Sequence, residues 1–225
     1  MTQSKVALFD ICNTLVEVTT ITDFTERYLL APGKNPYARY RTRIYHFVWR
    51  FLRGRTHLLD RYSSRDHLVM LFKGYTEEDL RPLVEAYTAR LRDCIKRPVR
   101  ERLEQLRREG YELYLVSAGL DAYLRPFAAE LGVTLIATTL ERDEHGVYTG
   151  RVLGTDCIGE GKVRKMHEVI PHFADIDWKA SYAFGDSYSD IPMLELVGHP
   201  WAVDPDAALA AEADARRWNV LRTGQ

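Results

Sequence analysis

The chain begins with a short unbroken apolar run, Val6-Ala7-Leu8-Phe9, which stops at Asp10 and gives way to a polar turn, Cys12-Asn13-Thr14. A run that short and apolar at every position predicts a parallel strand buried on both faces. From about Thr20 to Arg92 the pattern changes. Tyr40, Ile44, Phe47 and Phe51, and later Leu80, Val84 and Tyr87, recur at three- and four-residue spacing, which is a helical period. Pro32-Gly33 and Gly74 punctuate this stretch.

After Pro98 the chain alternates between the two periods. Val99 to Glu109 reads as a charged amphipathic helix closed by Gly110, and Glu112 to Val116 as a strand ending at Ser117-Ala118-Gly119. Asp121 to Leu131 reads as a helix closed by Gly132, and Thr134 to Thr138 as a strand. Val147 to Val152 alternates like a hairpin arm. Lys162 to Ile170 is expected to be helical, Tyr182 to Phe184 a strand ending at Gly185-Asp186, and Ile191 to Val197 a helix with Pro192 in its first turn. Trp201 to Val203 and the Ala-rich stretch Asp206 to Arg217 complete the pattern as strand and helix.

Strand, helical insert, then repeated helix–strand units predict an α/β fold: a doubly wound, Rossmann-like parallel sheet covered by helices on both faces. The insert interrupts the chain directly after the first strand, so it is expected to lie over the carboxyl end of the sheet as a cap. The boundaries implied are 1–16 and 93–225 for the core and 17–92 for the cap.

Composition narrows this further. The 225 residues are 46% hydrophobic and 28% charged, as expected of a globular protein with one substantial core. A formal net charge of -1 argues against a chain built as a whole for nucleic acid. No apolar run approaches the roughly 18 to 20 residues of a membrane span. Cys12, Cys94 and Cys157 are too widely spaced for a disulfide framework or a zinc knuckle, which points to a reducing cytoplasm.

Ligands of open α/β sheets bind at the carboxyl ends of the strands, and here those ends carry distinctive polar groups. Asp10 follows the first strand. Ser117 and Gly119 follow the second. Asp186 follows a later one, with Asp190 four residues on, and Lys162 opens the helix before it. Taken singly, each has an ordinary explanation: a helix N-cap, a turn, a solvated lysine. Together they form a coherent set. Asp10 and Asp186 would share a hard cation such as Mg²⁺, and Ser117 and Lys162 would hold phosphate oxygens. Asp10 would then attack phosphorus as a nucleophile, with the cation and the lysine offsetting the repulsion between anions.

The same residues resemble four motifs of the haloacid dehalogenase superfamily, in the family's order. Phe9-Asp10-Ile11-Cys12-Asn13-Thr14-Leu15 is similar to the first, Leu115-Val116-Ser117-Ala118-Gly119 to the second, Gly159-Glu160-Gly161-Lys162 to the third, and Phe184-Gly185-Asp186-Ser187-Tyr188-Ser189-Asp190 to the fourth. The insert stands where that family carries its C1 cap. Ser-Ala-Gly, Gly-Glu-Gly-Lys and the Tyr148-Thr149-Gly150 hairpin look most like the phosphoserine-phosphatase-like branch, subfamily IB. The resemblance implies an Mg²⁺-dependent phosphomonoesterase working through an aspartyl-phosphate at Asp10. Asp10, the main-chain carbonyl of Cys12, Asp186 and Asp190 would serve the metal. Thr14, Ser117, Ala118, Gly119 and Lys162 would line the phosphoryl group, which belongs to a small phosphorylated substrate.

One position departs from the pattern. The family's second Asp, which protonates the leaving group and then activates water, is Cys12 here. General acid–base help of that kind contributes ~10²–10⁴-fold. A thiol of unperturbed pKa near ~8.5 is a weak acid and a poor base. The outcomes left open are a slow phosphatase, a phosphotransferase to a non-water acceptor, or a binding protein with little catalysis. The cap adds a second feature. Lys34, Arg39, Arg41, Arg43, Arg50, Arg53, Arg55, Arg61 and Arg65 face Asp60 alone, interleaved with aromatic residues. That run is either a solvated face or a surface for something anionic, such as the substrate or an anionic membrane. The sequence leaves the oligomeric state open.

Overall fold

The computed structural model describes residues 4–30 and 64–224. The helical period around Tyr40 to Phe51 and the basic run from Lys34 to Arg61 lie outside them.

Seven strands form one sheet in the order β4-β3-β2-β1-β5-β6-β7. They are β1 (Val6–Phe9), β2 (Glu112–Leu120), β3 (Thr134–Arg142), β4 (Tyr148–Leu153), β5 (Tyr182–Gly185), β6 (His199–Val203) and β7 (Asn219–Leu221). Of these seven strands, β3 and β4 alone pair antiparallel. β1 lies in the middle, with Phe9 opposite Leu115 on one side and Phe184 on the other. Its four residues are all buried, as a continuous apolar run requires. Alternate side chains go to opposite faces. Ala7 and Phe9 join a cluster with Val99, Leu103 and Leu106 of α4 (Arg97–Arg108) and with α5 (Asp121–Glu130). Val6 and Leu8 join a second cluster with Met166 of α6 (Glu160–Val169), Leu194 of α7 (Ile191–Leu194) and Leu209 of α8 (Ala207–Arg216). The expected doubly wound sheet is therefore what forms.

Several boundaries differ from the sequence expectation, β3 among them, which runs on to Arg142, and one strand was not expected. β2 does not end at Val116: its pairing with β3 shifts register after Ser117 and resumes at Leu120. Ser117-Ala118-Gly119 thus occupy an irregular stretch inside the strand, of the kind that re-aims side chains beside sites. The helix after Asp190 stops at Leu194 rather than Val197. β7, three residues long on the edge of the sheet, is too short to leave a period in the sequence.

The described part of the insert holds α1 (Thr20–Phe24), a π-helical turn (Thr25–Leu29), α2 (Ser64–Met70) and α3 (Glu77–Asp93). The Thr76–Asp79 capping box starts α3. Phe24, Phe72 and Tyr87 from the insert surround Tyr123 of α5, with ring centroids 4.8 Å apart for Phe24–Tyr123 and 5.6 Å for Tyr87–Tyr123. All four rings are fully buried, so the insert shares a core with the sheet. Among the described residues no helix is long and apolar enough to cross a membrane.

Lys96 ties the loop after β1 to the far side of the sheet. Its buried ammonium donates to the Asn13 carbonyl (2.6 Å) and to Asp204 Oδ2 (2.8 Å). Asn13 has φ 54°, a left-handed conformation that Asn tolerates better than most residues. Burial raises the Asp204 carboxyl, but hydrogen bonds from Lys96 and Thr223 outweigh it and bring its pKa down to about 2. A depressed carboxylate pKa contributes stability that is present above the unfolded value, near ~3.9, and lost as pH falls toward 2. We therefore expect Asp204→Asn to lower Tm at pH 7 and to make the loss of Tm between pH 4 and pH 2 shallower than in wild type. Parallel melting curves for the two proteins across that window would refute the linkage.

Candidate active site

Asp10 is held at the end of β1 by its own N–H, which donates to the Phe184 carbonyl of β5 (2.9 Å). The residue is 4% exposed, and its side chain meets Lys162 from the first turn of α6. The Lys162 ammonium has three protons and finds three acceptors: Asp10 Oδ1 at 2.6 Å, Asp190 Oδ1 at 2.5 Å and the Val116 carbonyl at 3.1 Å. Asp190 in turn accepts, through Oδ2, from the N–H groups of Asp186 and Ser187 and from the Ser187 hydroxyl, each at 3.1 Å. Thr14 Oγ1 donates to Asp186 Oδ1 (3.1 Å), which joins the loop after β1 to the loop after β5.

Carboxylate oxygens of Asp10, Asp186 and Asp190 all lie within 4.8 Å of one another. Three acids therefore cluster here, and two of them, Asp10 and Asp190, pair with one buried lysine. Burial, helped by the neighbouring Asp190 and Asp186 charges, raises the Asp10 pKa to about 7 against the pull of Lys162. Burial and Asp190 likewise raise Asp186, to about 6. Burial works against the charge of Lys162, yet Asp10 and Asp190 outweigh it and hold the ammonium above its ordinary value. Oxygen-only donors, desolvated and short of positive charge, fit a hard divalent cation.

The phosphate-side residues fall beside this cluster. Gly119 N–H donates to Ser117 Oγ (3.0 Å). A Cβ at Gly119 would sit 2.6 Å from Leu124 Cδ1 and 2.8 Å from Thr20 Oγ1, so nothing larger fits. The Ala118 carbonyl accepts from Arg65. Cys12 Sγ lies 3.2 Å from Thr20 Oγ1 and 4.0 Å from Ser117 Oγ. Thr20 Oγ1 is 3.1 Å from the Tyr123 hydroxyl, and Tyr87 donates to the Thr20 carbonyl (3.1 Å). Burial and the Asp10 charge push the Cys12 thiol up, so it stays protonated at neutral pH, as its neighbours imply.

Asp10, Cys12, Thr14, Ser117, Ala118, Gly119, Asp186 and Asp190 thus lie at or just past the carboxyl ends of β1, β2 and β5, and Lys162 in the helix turn facing them. Sequence reasoning missed Tyr123, Lys96, Thr138 and Asp156. Each is an ordinary helix, strand or loop residue by pattern. Arg65 was visible only as one cation in a basic run.

The geometry agrees with comparisons of the whole chain. Residues 7–195 match the haloacid dehalogenase-like hydrolase family, and the chain belongs to that family of enzymes. A probable phosphatase of Mycobacterium tuberculosis (strain ATCC 25618 / H37Rv) is 30% identical over 220 residues, 96% of this chain and 74% of the relative. A phosphoserine phosphatase of the same strain, SerB1, is 29% identical over 95% of this chain and 69% of its own length. A crystal structure of a protein of unknown function from Bordetella pertussis Tohama I superposes with TM-score 0.81 at 28% identity, covering 99% of this chain and 100% of that one. An apo phosphoserine phosphatase shares the fold with TM-score 0.65 at 22% identity, covering 99% and 94%.

Proposed function

We propose that this hydrolase is a phosphomonoesterase of small phosphorylated substrates, with Asp10 as the nucleophile. The observation that carries the proposal is the clustering of Asp10, Asp186 and Asp190 at the ends of β1 and β5, with Lys162 bonded to Asp10 and Asp190.

Asp10, Asp186 and Asp190, with the main-chain carbonyl of Cys12, would hold Mg²⁺. Bound there, Mg²⁺ supplies positive charge that favours the ionised carboxylates and a phosphoryl group beside them. The chain's own residues do the rest. Lys162 neutralises part of the Asp10 charge and aims its oxygen. Ser117 and the Gly119 turn offer hydrogen-bond donors to phosphoryl oxygens. Asp10 attacks phosphorus, the ester oxygen leaves, and an aspartyl-phosphate forms. Thr14 and Asp190 fix the two loops that carry the acids.

Cys12 occupies the acid/base position. A protonated thiol hydrogen-bonded among Thr20 and Ser117 can lend a proton to the leaving oxygen, yet is a poor base for the water that must follow. The phosphoenzyme therefore forms faster than it hydrolyses. Transfer to a non-water acceptor is the second reading, favoured by this same residue. The insert, residues 17–92, would act as the cap that selects the substrate. Attraction to an anionic membrane through the basic run remains an expectation of the sequence, because that run lies outside the described residues.

The test is to incubate the chain with an aryl phosphate and Mg²⁺, quench in acid, and map the label. We expect an acid-stable, hydroxylamine-labile phosphate on the peptide containing Asp10. A chain that releases phosphate with no such adduct under a rapid quench would sink the covalent route.

A further inference from the structure

Both loops that carry the phosphate-side residues meet at one guanidinium, which comes from the insert. Arg65, in the first turn of α2, donates through Nη2 to the Ala118 carbonyl, next to Ser117. The same nitrogen reaches Thr138 Oγ1 (3.0 Å) and Asp156 Oδ1 (2.8 Å), while Nε reaches Asp156 Oδ2 (3.0 Å). Arg65 and Asp156 are thus paired fork to fork, with side chains 18% and 35% exposed. Thr138, fully buried on β3, completes the joint: it donates to Asp156 Oδ1 (2.6 Å) and accepts from the Cys157 N–H (3.1 Å). Every hydroxyl and carboxylate position in this network has a partner, the condition under which a polar network rigidifies its surroundings.

Asp156 bears on Lys162 through Gly161. A Cβ on Gly161 would lie 1.9 Å from the Asp156 carbonyl oxygen, so the loop before α6 rests against the residue preceding Lys162. A displacement of Asp156 cannot be absorbed there without moving the first turn of α6. From Arg65 one path therefore runs through Ala118 to Ser117, and another through Asp156 and Gly161 to Lys162.

We propose that Arg65 is a positioning residue: its planar fork holds the Ser117 loop and the Lys162 loop at a fixed separation, and so couples the insert to the geometry of the phosphoryl site. The inference rests on the phosphatase reading above. Lysine cannot replace the fork, because a single ammonium cannot span both Asp156 oxygens and the Ala118 carbonyl in one plane. Displacing phosphoryl-binding groups by a fraction of an ångström to one ångström costs up to about a hundredfold.

The experiment compares wild type, Arg65→Ala, Arg65→Lys, Asp156→Asn and the Arg65→Ala/Asp156→Asn pair, each at a temperature where circular dichroism shows it folded. Inorganic phosphate is titrated calorimetrically into the Mg²⁺-loaded chain, and p-nitrophenyl phosphate turnover gives kcat and KM. We expect Arg65→Ala to weaken phosphate binding and to lower kcat by about ten- to a hundredfold each. Arg65→Lys should recover only part of either, and the pair should be no worse than the poorer single variant, because both act through one joint. Added methylguanidinium should restore part of the Arg65→Ala kcat and leave wild type unchanged. If Arg65→Ala does not fold, Arg65→Lys and Asp156→Asn carry the same comparison. Wild-type phosphate affinity and kcat in folded variants, or losses that simply add in the pair, would overturn the proposal alone. A wild-type chain that neither binds phosphate nor turns over substrate would overturn the phosphatase reading, and this inference with it.

Discussion

Replacing Asp10 by Asn is expected to remove turnover and to leave the fold standing. Asn has nearly the volume of Asp but no anionic oxygen to attack phosphorus, so kcat on an aryl phosphate is expected to fall by at least ~10⁴-fold, as for other nucleophiles that act as part of a unit. The stability side runs the other way. Asp10 is buried with its pKa raised to about 7, and it shares Lys162 with Asp190 within a cluster of three acids. Neutralising it relieves repulsion and burial while Asp190 keeps the lysine paired. We expect Tm to change by no more than about 4 °C, the size of a 1 kcal/mol effect in a chain of this length, with a rise more consistent with the geometry than a fall. Thermal melts beside steady-state assays check both halves. Residual turnover within tenfold of wild type would remove Asp10 from the chemistry altogether.

Cys12→Asp should act in the opposite sense. In wild type the thiol neighbours Thr20 and Ser117, and its pKa is pushed up by burial and by Asp10. It can pass a proton to a leaving group but cannot readily take one from water. Stopped-flow assays of wild type should therefore show a burst of nitrophenol, near one equivalent per site, followed by a slow steady state. A carboxylate at position 12 supplies the missing base. The general-base contribution of ~10²–10⁴-fold bounds the gain, and about tenfold to a hundredfold is expected, because a further acid beside Asp10 also adds repulsion. The burst should shrink as dephosphorylation ceases to limit. An unchanged steady-state rate would mean that Cys12 does not set the slow step.

Much of this arrangement was legible in the sequence, for identifiable reasons. Val6–Phe9 could be read as a central strand because a strand buried on both faces must be apolar throughout. Asp10, Ser117, Lys162 and Asp186 stood out because each breaks an apolar or helical pattern where a strand ends or a helix begins. What escaped were residues whose importance is created by distance. Arg65 and Asp156 are 91 positions apart, and neither violates a local period. Tyr123 looks like an ordinary core aromatic, yet its hydroxyl meets that of Thr20 at 3.1 Å beside Cys12. The register shift in β2 after Ser117 left no trace either, since Ser-Ala-Gly is compatible with both a strand end and an irregular strand. β7 is three residues on an edge, where neither burial nor alternation has room to act.

The position of β1 has a consequence for how the molecule breathes. The Asp10 amide is bonded to Phe184 across the middle of the sheet, with three strands on either side of β1. Its proton can exchange with solvent only when the central strands separate, which is the opening of highest free energy in a domain of this kind. The proposed nucleophile is thus mounted at the end of the central strand of the sheet. Loops that admit a substrate can loosen many times over while the attacking oxygen keeps its place, and the hydrogen-exchange lifetime of that single amide measures the stability of the whole core.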